Sequence, residues 1–452
     1  MRVPVELFLD RQLLPGETEL SKLVRIASTP GLVGQIDVLP DVHFKAKNFM
    51  PTGVALRLYQ SISPTFLGPA NDALTLARTG LKTQLFTDDV LDLVYESLKR
   101  RVAVFRRSEP TIDESELWEI LSTGTSSERF GFSPVDLARM ENGESSGAEN
   151  LDETQIRAAF PACSKRPPHL ASFVPWHDVV TAGRHCLGVL DGGGHFLELC
   201  VVEDVVDEEI AKTLAIEEGD VLVALHAGPA DVGLIAHKHH LPDRQSDIRV
   251  MDVESEEGGS FLTASRAASN FATANRLHIL GQTRDAIQSV CGQDAKFEIF
   301  SDAPHDMLDP IPRDNGTEFV HRKGVVRTIP ADAFPDSHQF SQTGRPFFFP
   351  TSLGQDAFIM TRRDGDRTQF QSCSHGVGRR ITRDEALATY DDASIVDSIN
   401  STQVRLYRYG HPGFSAQAPA AHKDAESVLG LLQRFELSQI VARLRPLASL
   451  KP

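Results

Sequence analysis

Gly192-Gly193-Gly194-His195-Phe196-Leu197-Glu198-Leu199-Cys200-Val201-Val202 runs a glycine turn straight into a compact apolar segment. Such a run, short and bounded by turn residues, reads as a buried strand rather than a helix. Val221-Leu222-Val223-Ala224-Leu225 repeats the pattern and ends on His226-Ala227-Gly228. Helical spacing appears on both sides. Residues 84–107 place Val90, Leu91, Val94 and Leu98 on one face and close on Lys99-Arg100-Arg101, cations that complement a helix C-terminus. Residues 262–290 carry Ala267, Phe271, Ala274 and Leu277 at helical spacing, and residues 422–450 read as one or two closing helices. Short strands and helices mix without a regular βαβ rhythm, which predicts an α+β fold with mixed sheets and surrounding helices.

The first 60 residues are short mixed segments, then a Pro/Gly-punctuated loop around Pro40 to Gly53. Residues 108–160 change character. SEPTIDESELWEIL and ENGESSGAENLDETQIRAAF are acidic and low in aliphatics, so an exposed insert with short helices and a flexible middle near Glu141–Glu149 is expected. A linker between domains is the alternative. Related motifs lie on both sides of it, which favours one large domain over residues 1–452. There is no internal repeat and no GxxxxGK[ST] loop, so any nucleotide is held by other means.

The chain has 452 residues, 41% of them hydrophobic, enough for a large core. No apolar run approaches the ~18 residues of a membrane helix, and the start lacks the order of a signal peptide. Five scattered cysteines form no CxxC pair. A soluble protein of a reducing cytoplasm is expected, with no disulfide framework and no membrane partner. The net charge of −16 argues against a globally basic nucleic-acid binder but leaves room for a local basic cleft.

The chemistry is concentrated in histidines set in small-residue turns. In Pro40-Asp41-Val42-His43 an acid and an imidazole two apart on an extended segment share a face, in a cleft or in a hydrogen-bonded turn. His195 follows three glycines that let backbone approach a ligand closely, with Glu198 three residues on; a hairpin is the plainer reading. His226 ends a buried run. Asp302-Ala303-Pro304-His305-Asp306 adds another imidazole between carboxylates. His321-Arg322-Lys323-Gly324 is either a phosphate-binding cationic group or a basic surface turn. In Ser372-Cys373-Ser374-His375-Gly376-Val377-Gly378-Arg379 the histidine is open to an incoming phosphate, and an arginine stands by to neutralise charge. Three imidazoles and a carboxylate make a credible site for a divalent transition metal. His237-Lys238-His239-His240 is read instead as an exposed basic turn.

In this order the motifs resemble the RtcB family of RNA ligases. Asn270-Phe271-Ala272, Ala274-Asn275-Arg276, Ser352-Leu353-Gly354, Ala418-Pro419, Lys423-Asp424, Arg445-Pro446 and Lys451 extend the likeness over the whole chain except the acidic insert. The resemblance implies that His375 attacks GTP and carries GMP. It implies that His195, His226 and His305 bind one or two Mn²⁺ ions, with Mg²⁺ as an alternative. It places Glu198, Phe196, Ser352, Gly376, His422 and Lys451 around the guanine nucleotide. The implied partners are GTP and RNA ends, such as tRNA halves or cleaved RNA. A 3′-phosphate or 2′,3′-cyclic phosphate would be joined to a 5′-hydroxyl.

The chain also departs from the family pattern. Alignment on Arg78-Thr79 puts Pro69 where the family has a metal-binding Asp and Asp72 where it has a Cys. Asp72 can still ligate, as a harder donor than a thiolate. Gly194 replaces an Asn, Ala230 an Arg, and His422 a Tyr, and the loop after His43 lacks the family's glycines. A non-ligating relative that binds nucleotide or RNA, or a metal-dependent phosphohydrolase, are the other functions this pattern allows.

Overall fold

The computed structural model describes all residues except 45–48, 69–70, 106, 125–126, 141–150, 161–177, 242–246, 293–294, 364–367, 369 and 409–413. Two mixed sheets with helices around them confirm the α+β expectation. The larger sheet orders Phe347–Phe349, Ala357–Thr361, Gln439–Lys451, Phe196–Val205, Asp220–Ala227, Ala73–Lys82 and Glu298–Pro304, with Arg405–Arg408 pairing parallel to Gln439–Lys451. The smaller sheet orders Val5–Leu7, Ile36–His43, Thr52–Tyr59, Gly316–Lys323 and Asp306–Arg313. The strands Glu298–Pro304 and Asp306–Arg313 are separated by His305 alone, so this histidine sits where the chain passes from one sheet to the other.

Both apolar runs are buried strands, as their composition required. One face of the larger sheet packs Leu197, Leu199, Val221, Val223 and Leu225 against Leu277, Leu280 and Ile287 of the helix Glu256–Cys291. This 36-residue helix is buried on most of its circumference, and its small side chains let neighbours approach from several sides. The helix expected over residues 84–107 spans Asp88–Arg101 and is capped by Thr87 Oγ1, which accepts from Val90 N.

Four expectations are corrected. Pro40 to His43 are not loop: they end the strand Ile36–His43, and Thr52 and Gly53 begin the next strand. The acidic stretch is not wholly an exposed insert. Its helices Glu114–Thr123 and Glu153–Ala159 bury Leu117, Trp118, Ile120, Leu121 and Ile156 against Ala264, Ala267 and Phe271; the segment near Glu141–Glu149 lies outside the described residues. After one helix, Ala425–Arg434, the last residues form the strand Gln439–Lys451 rather than a second helix. Finally, His237-Lys238-His239-His240 is no exposed turn. His237 bonds the Pro64 carbonyl through Nε2, and His240 is buried against Phe261.

Candidate active site

The strand ends predicted to carry chemistry converge. His226, near the end of Asp220–Ala227, lies opposite Phe196 on one side and Leu74 on the other. The His226 and His305 Nε2 atoms are 2.9 Å apart, and the His305 and His375 rings have centroids 4.6 Å apart. His195 packs edge-on against His226, and its Nε2 lies 3.8 Å from Asp72 Oδ1. Asp72 thus turns toward the histidines; Pro69 lies outside the described residues.

The backbone sets the ring tautomers. His195 Nδ1 donates to the Leu190 carbonyl at 3.0 Å, and His226 Nδ1 to the Gly194 carbonyl at 3.1 Å. His305 Nδ1 faces Asp306 Oδ2 at 3.1 Å. Carbonyl oxygens only accept, so Nδ1 carries the hydrogen in His195 and His226. Nε2 of His226 therefore presents a lone pair, and burial, then the neighbouring His195 and His305, push its pKa well below the ordinary value. Burial and His375 also lower His305 against the pull of Asp306. Burial works against a charged His195, but contact with Asp72 overrides it and raises this pKa. Two imidazole lone pairs cannot face each other at 2.9 Å without a cation between them, either a proton or a metal ion.

That donor chemistry suits a divalent metal. Imidazole nitrogens whose second nitrogen is tied to an acceptor, with a carboxylate beside them, are the arrangement found around bound ions. Among the described residues, however, no group of three or more His, Cys, Asp or Glu side chains is placed so that it could hold a metal ion as it stands.

His375 follows the short strand Ser372–Ser374. Its Nδ1 lies 2.8 Å from Asp41 Oδ2 and 2.8 Å from the Gly324 carbonyl. A hydrogen shared between those two acceptors must belong to Nδ1, so Nε2 carries the nucleophilic lone pair. Asp41 is fully buried. The sequence marked it as part of a motif; its pairing with His375 joins residues far apart in the chain.

The residues expected around a nucleotide fall into two groups. Pairing of Phe196–Val205 with Gln439–Lys451 sets Ser449 opposite Glu198, and Ser449 Oγ donates to Glu198 Oε1 at 2.7 Å. Lys451 Nζ lies 4.3 Å from the centre of the Phe196 ring. Burial pushes Lys451 down to about 8, against the pull of Glu198. Ser352 and His422 line a cleft of about 1320 Å³ with Arg379, Arg383 and Lys423. Gly376 packs against the Pro350 carbonyl, where a Cβ would come within 3.0 Å. His422 Nδ1 donates to the Ala418 carbonyl, and burial pulls this ring down to about 4.

Two motifs prove to be scaffold. His321, Arg322 and Lys323 are buried within a strand, and Arg322 bonds Asp309, Ser372 Oγ and the Phe370 carbonyl. This trio is therefore neither a surface turn nor an open phosphate group. On the long helix, Asn275 accepts from Gly188 N and Val189 N and donates to the Val189 and Gly228 carbonyls. Arg276 is fully buried, pairs with Asp302 at 2.9 Å and donates to the Asn71 carbonyl. These two side chains pin the loops that present Asp72, His195 and His226. No described helix is long and apolar enough to cross a membrane, and the four described cysteines are free.

Comparison with known proteins finds relatives along the whole chain. A family model described as tRNA-splicing ligase RtcB matches residues 22–452. A tRNA-splicing ligase RtcB of Thermococcus kodakarensis is 26% identical, over 100% of this chain and 95% of its own length. One of Pyrobaculum aerophilum is 27% identical over the same shares. One of Pyrococcus furiosus is 29% identical over 60% of this chain and 30% of its own length.

Proposed function

The chain belongs to the RtcB family of tRNA-splicing ligases, and from that premise we propose that it joins RNA 3′-phosphate or 2′,3′-cyclic phosphate ends to 5′-hydroxyl ends through GMP carried on His375. The observation that supports this most is the double acceptor on His375 Nδ1, the Asp41 carboxylate and the Gly324 carbonyl. Nε2 is left as the nucleophile. It attacks the α-phosphorus of GTP, pyrophosphate departs, and a phosphoramidate to GMP forms. Positive charge grows on the ring during attack, and Asp41, buried and hydrogen-bonded to Nδ1–H, stabilises it.

An RNA 3′-phosphate oxygen then displaces the histidine and takes the GMP. This replaces a poor leaving group with a good one, because the 5′-hydroxyl now attacks a phosphoanhydride and expels GMP. A cyclic phosphate is first opened by water, which adds to phosphorus as the bond to the 2′-oxygen breaks and that oxygen takes a proton, leaving the 3′-phosphate. His195, His226, His305 and Asp72 would hold Mn²⁺, one ion or two, or Mg²⁺; when bound, the metal supplies charge neutralisation at the triphosphate. Lys451, Phe196 and Glu198 form one wall for the guanine nucleotide. Ser352, Gly376 and His422 form the other. A cytoplasmic location is part of the proposal, on the five scattered cysteines that form no CxxC pair.

The test is intact mass after incubation with GTP and Mn²⁺. One GMP should add, and His375→Ala should abolish it. No adduct with Mn²⁺, Mg²⁺, Co²⁺ or Zn²⁺ would refute the proposal. An adduct without joining of the two RNA ends would leave a non-ligating relative. Phosphate release from RNA ends without GTP would identify a phosphohydrolase.

A further inference from the structure

Lys423 has no part in the chemistry above, yet it is built into the support of His375. Its Nζ donates to the Pro40 carbonyl at 2.8 Å and to the Val42 carbonyl at 2.6 Å. These residues flank Asp41. Carbonyls two residues apart point to the same edge of a strand, so one ammonium can bridge both. The bridge sits where the sheet itself is weak. Pairing of Ile36–His43 with Thr52–Tyr59 changes register between Val38 and His43, so the Asp41 stretch lacks regular ladder partners there.

Two further contacts join the same pieces. Lys423 N donates to the Gly378 carbonyl at 3.1 Å, on the loop that follows His375. Gly378 lies so close to Asp41 that a Cβ would fall 2.2 Å from the Asp41 carbonyl oxygen. Lys423 thus grips the backbone on both sides of Asp41.

We propose that Lys423 is a positioning residue for guanylylation. Its ammonium replaces the missing ladder and fixes Asp41 on His375 Nδ1–H, which sets the direction in which Nε2 points. The proposal rests on the guanylylation reading given above. Lys423 also borders the cleft, so direct contact with the nucleotide is the competing role, and kinetics separate the two.

The experiment is single-turnover adduct formation with GTP and Mn²⁺ on the full chain, for K423M, D41N and the double variant. Loss of positioning should slow K423M at saturating GTP by ~10- to ~100-fold, with the KM for GTP unchanged. The double variant should be no slower than the slower single variant, because both changes break one device. Should K423M fail to fold, K423Q keeps amide donors and should show an intermediate rate at unchanged KM. Multiplying effects in the double variant, a raised KM at unchanged saturating rate, or wild-type rates in K423M and K423Q would each overturn the proposal. A wild-type protein that forms no adduct would overturn the guanylylation reading and this inference with it.

Discussion

Gly228 shows how one hydrogen atom in place of a side chain builds the candidate metal site. A Cβ there would fall 1.6 Å from Asp72 Oδ1, so Asp72 reaches its place 3.8 Å from His195 only because residue 228 has none. Gly228→Ala should therefore displace the carboxylate and weaken Mn²⁺ binding by about tenfold or more, read by calorimetric titration without GTP. Unchanged affinity would show that Asp72 is not a ligand. The site was legible at this scale to the extent that side chains carry it. His195, His226, His305 and His375 were singled out from small-residue turns and Asp72 from the family resemblance, and the five converge. What sets their tautomers was not legible, because the acceptors for His195 and His226 are the Leu190 and Gly194 carbonyls, and every residue has a carbonyl. Asp41 and Lys423 lay between these extremes. Both stood in recognised motifs, but the bonds from Asp41 to His375 and from Lys423 to the backbone flanking Asp41 exist only once distant strands and loops are assembled.

Elements were legible where period and length agreed. The apolar runs at 197–202 and 221–225 are strands, and the spacing of Val90, Leu91, Val94 and Leu98 gave a helix. The C-terminal segment misled because a genuine helix, Ala425–Arg434, runs within a few residues of a strand whose alternation is broken. Pro446 lies at a shift in register between Pro446 and Ala448, where a missing N–H is tolerated. That strand supplies both Ser449 and Lys451 to the site, so its register carries functional weight. Beyond the shift, Ser449 faces Glu198 and Leu450 faces Leu197. Ser449→Ala removes the buried partner of a carboxylate, a loss of about 1–3 kcal/mol in such settings. We expect a lower urea midpoint together with a severalfold higher KM for GTP and a smaller change in the saturating rate. An unaltered KM would mean that Glu198 does not meet the nucleotide.

For the whole molecule the charge balance predicts a lopsided pH profile. Burial is the first cause that pulls His237, His240, His278 and His422 down to about 4 and His321 to about 3. All five are therefore neutral in the fold near neutral pH. Unfolded, each titrates near 6.5, so between about 4 and 6.5 the unfolded chain binds more protons. Stability must then rise with pH through that window, and be lost as pH falls. Each group contributes a slope of up to about 1.4 kcal/mol per pH unit. Lys423 and Lys451 act with the same sign at higher pH, because both are held down to about 8 by burial. Their burial cost is present below that value and is relieved as pH rises toward their unfolded value. The net charge of −16 works the other way, since acid neutralises carboxylates and eases mutual repulsion. That repulsion is spread over the surface and screened beyond ~8 Å at physiological ionic strength, whereas the buried rings are not screened, so the histidines decide the sign. The urea midpoint should fall steeply between pH 6.5 and pH 5. His278, whose Nε2 bonds Gln282 away from the candidate site, isolates one contribution. H278Q should flatten the slope by about one histidine's share, and a slope identical to wild type would mean that this ring is already protonated in the folded protein.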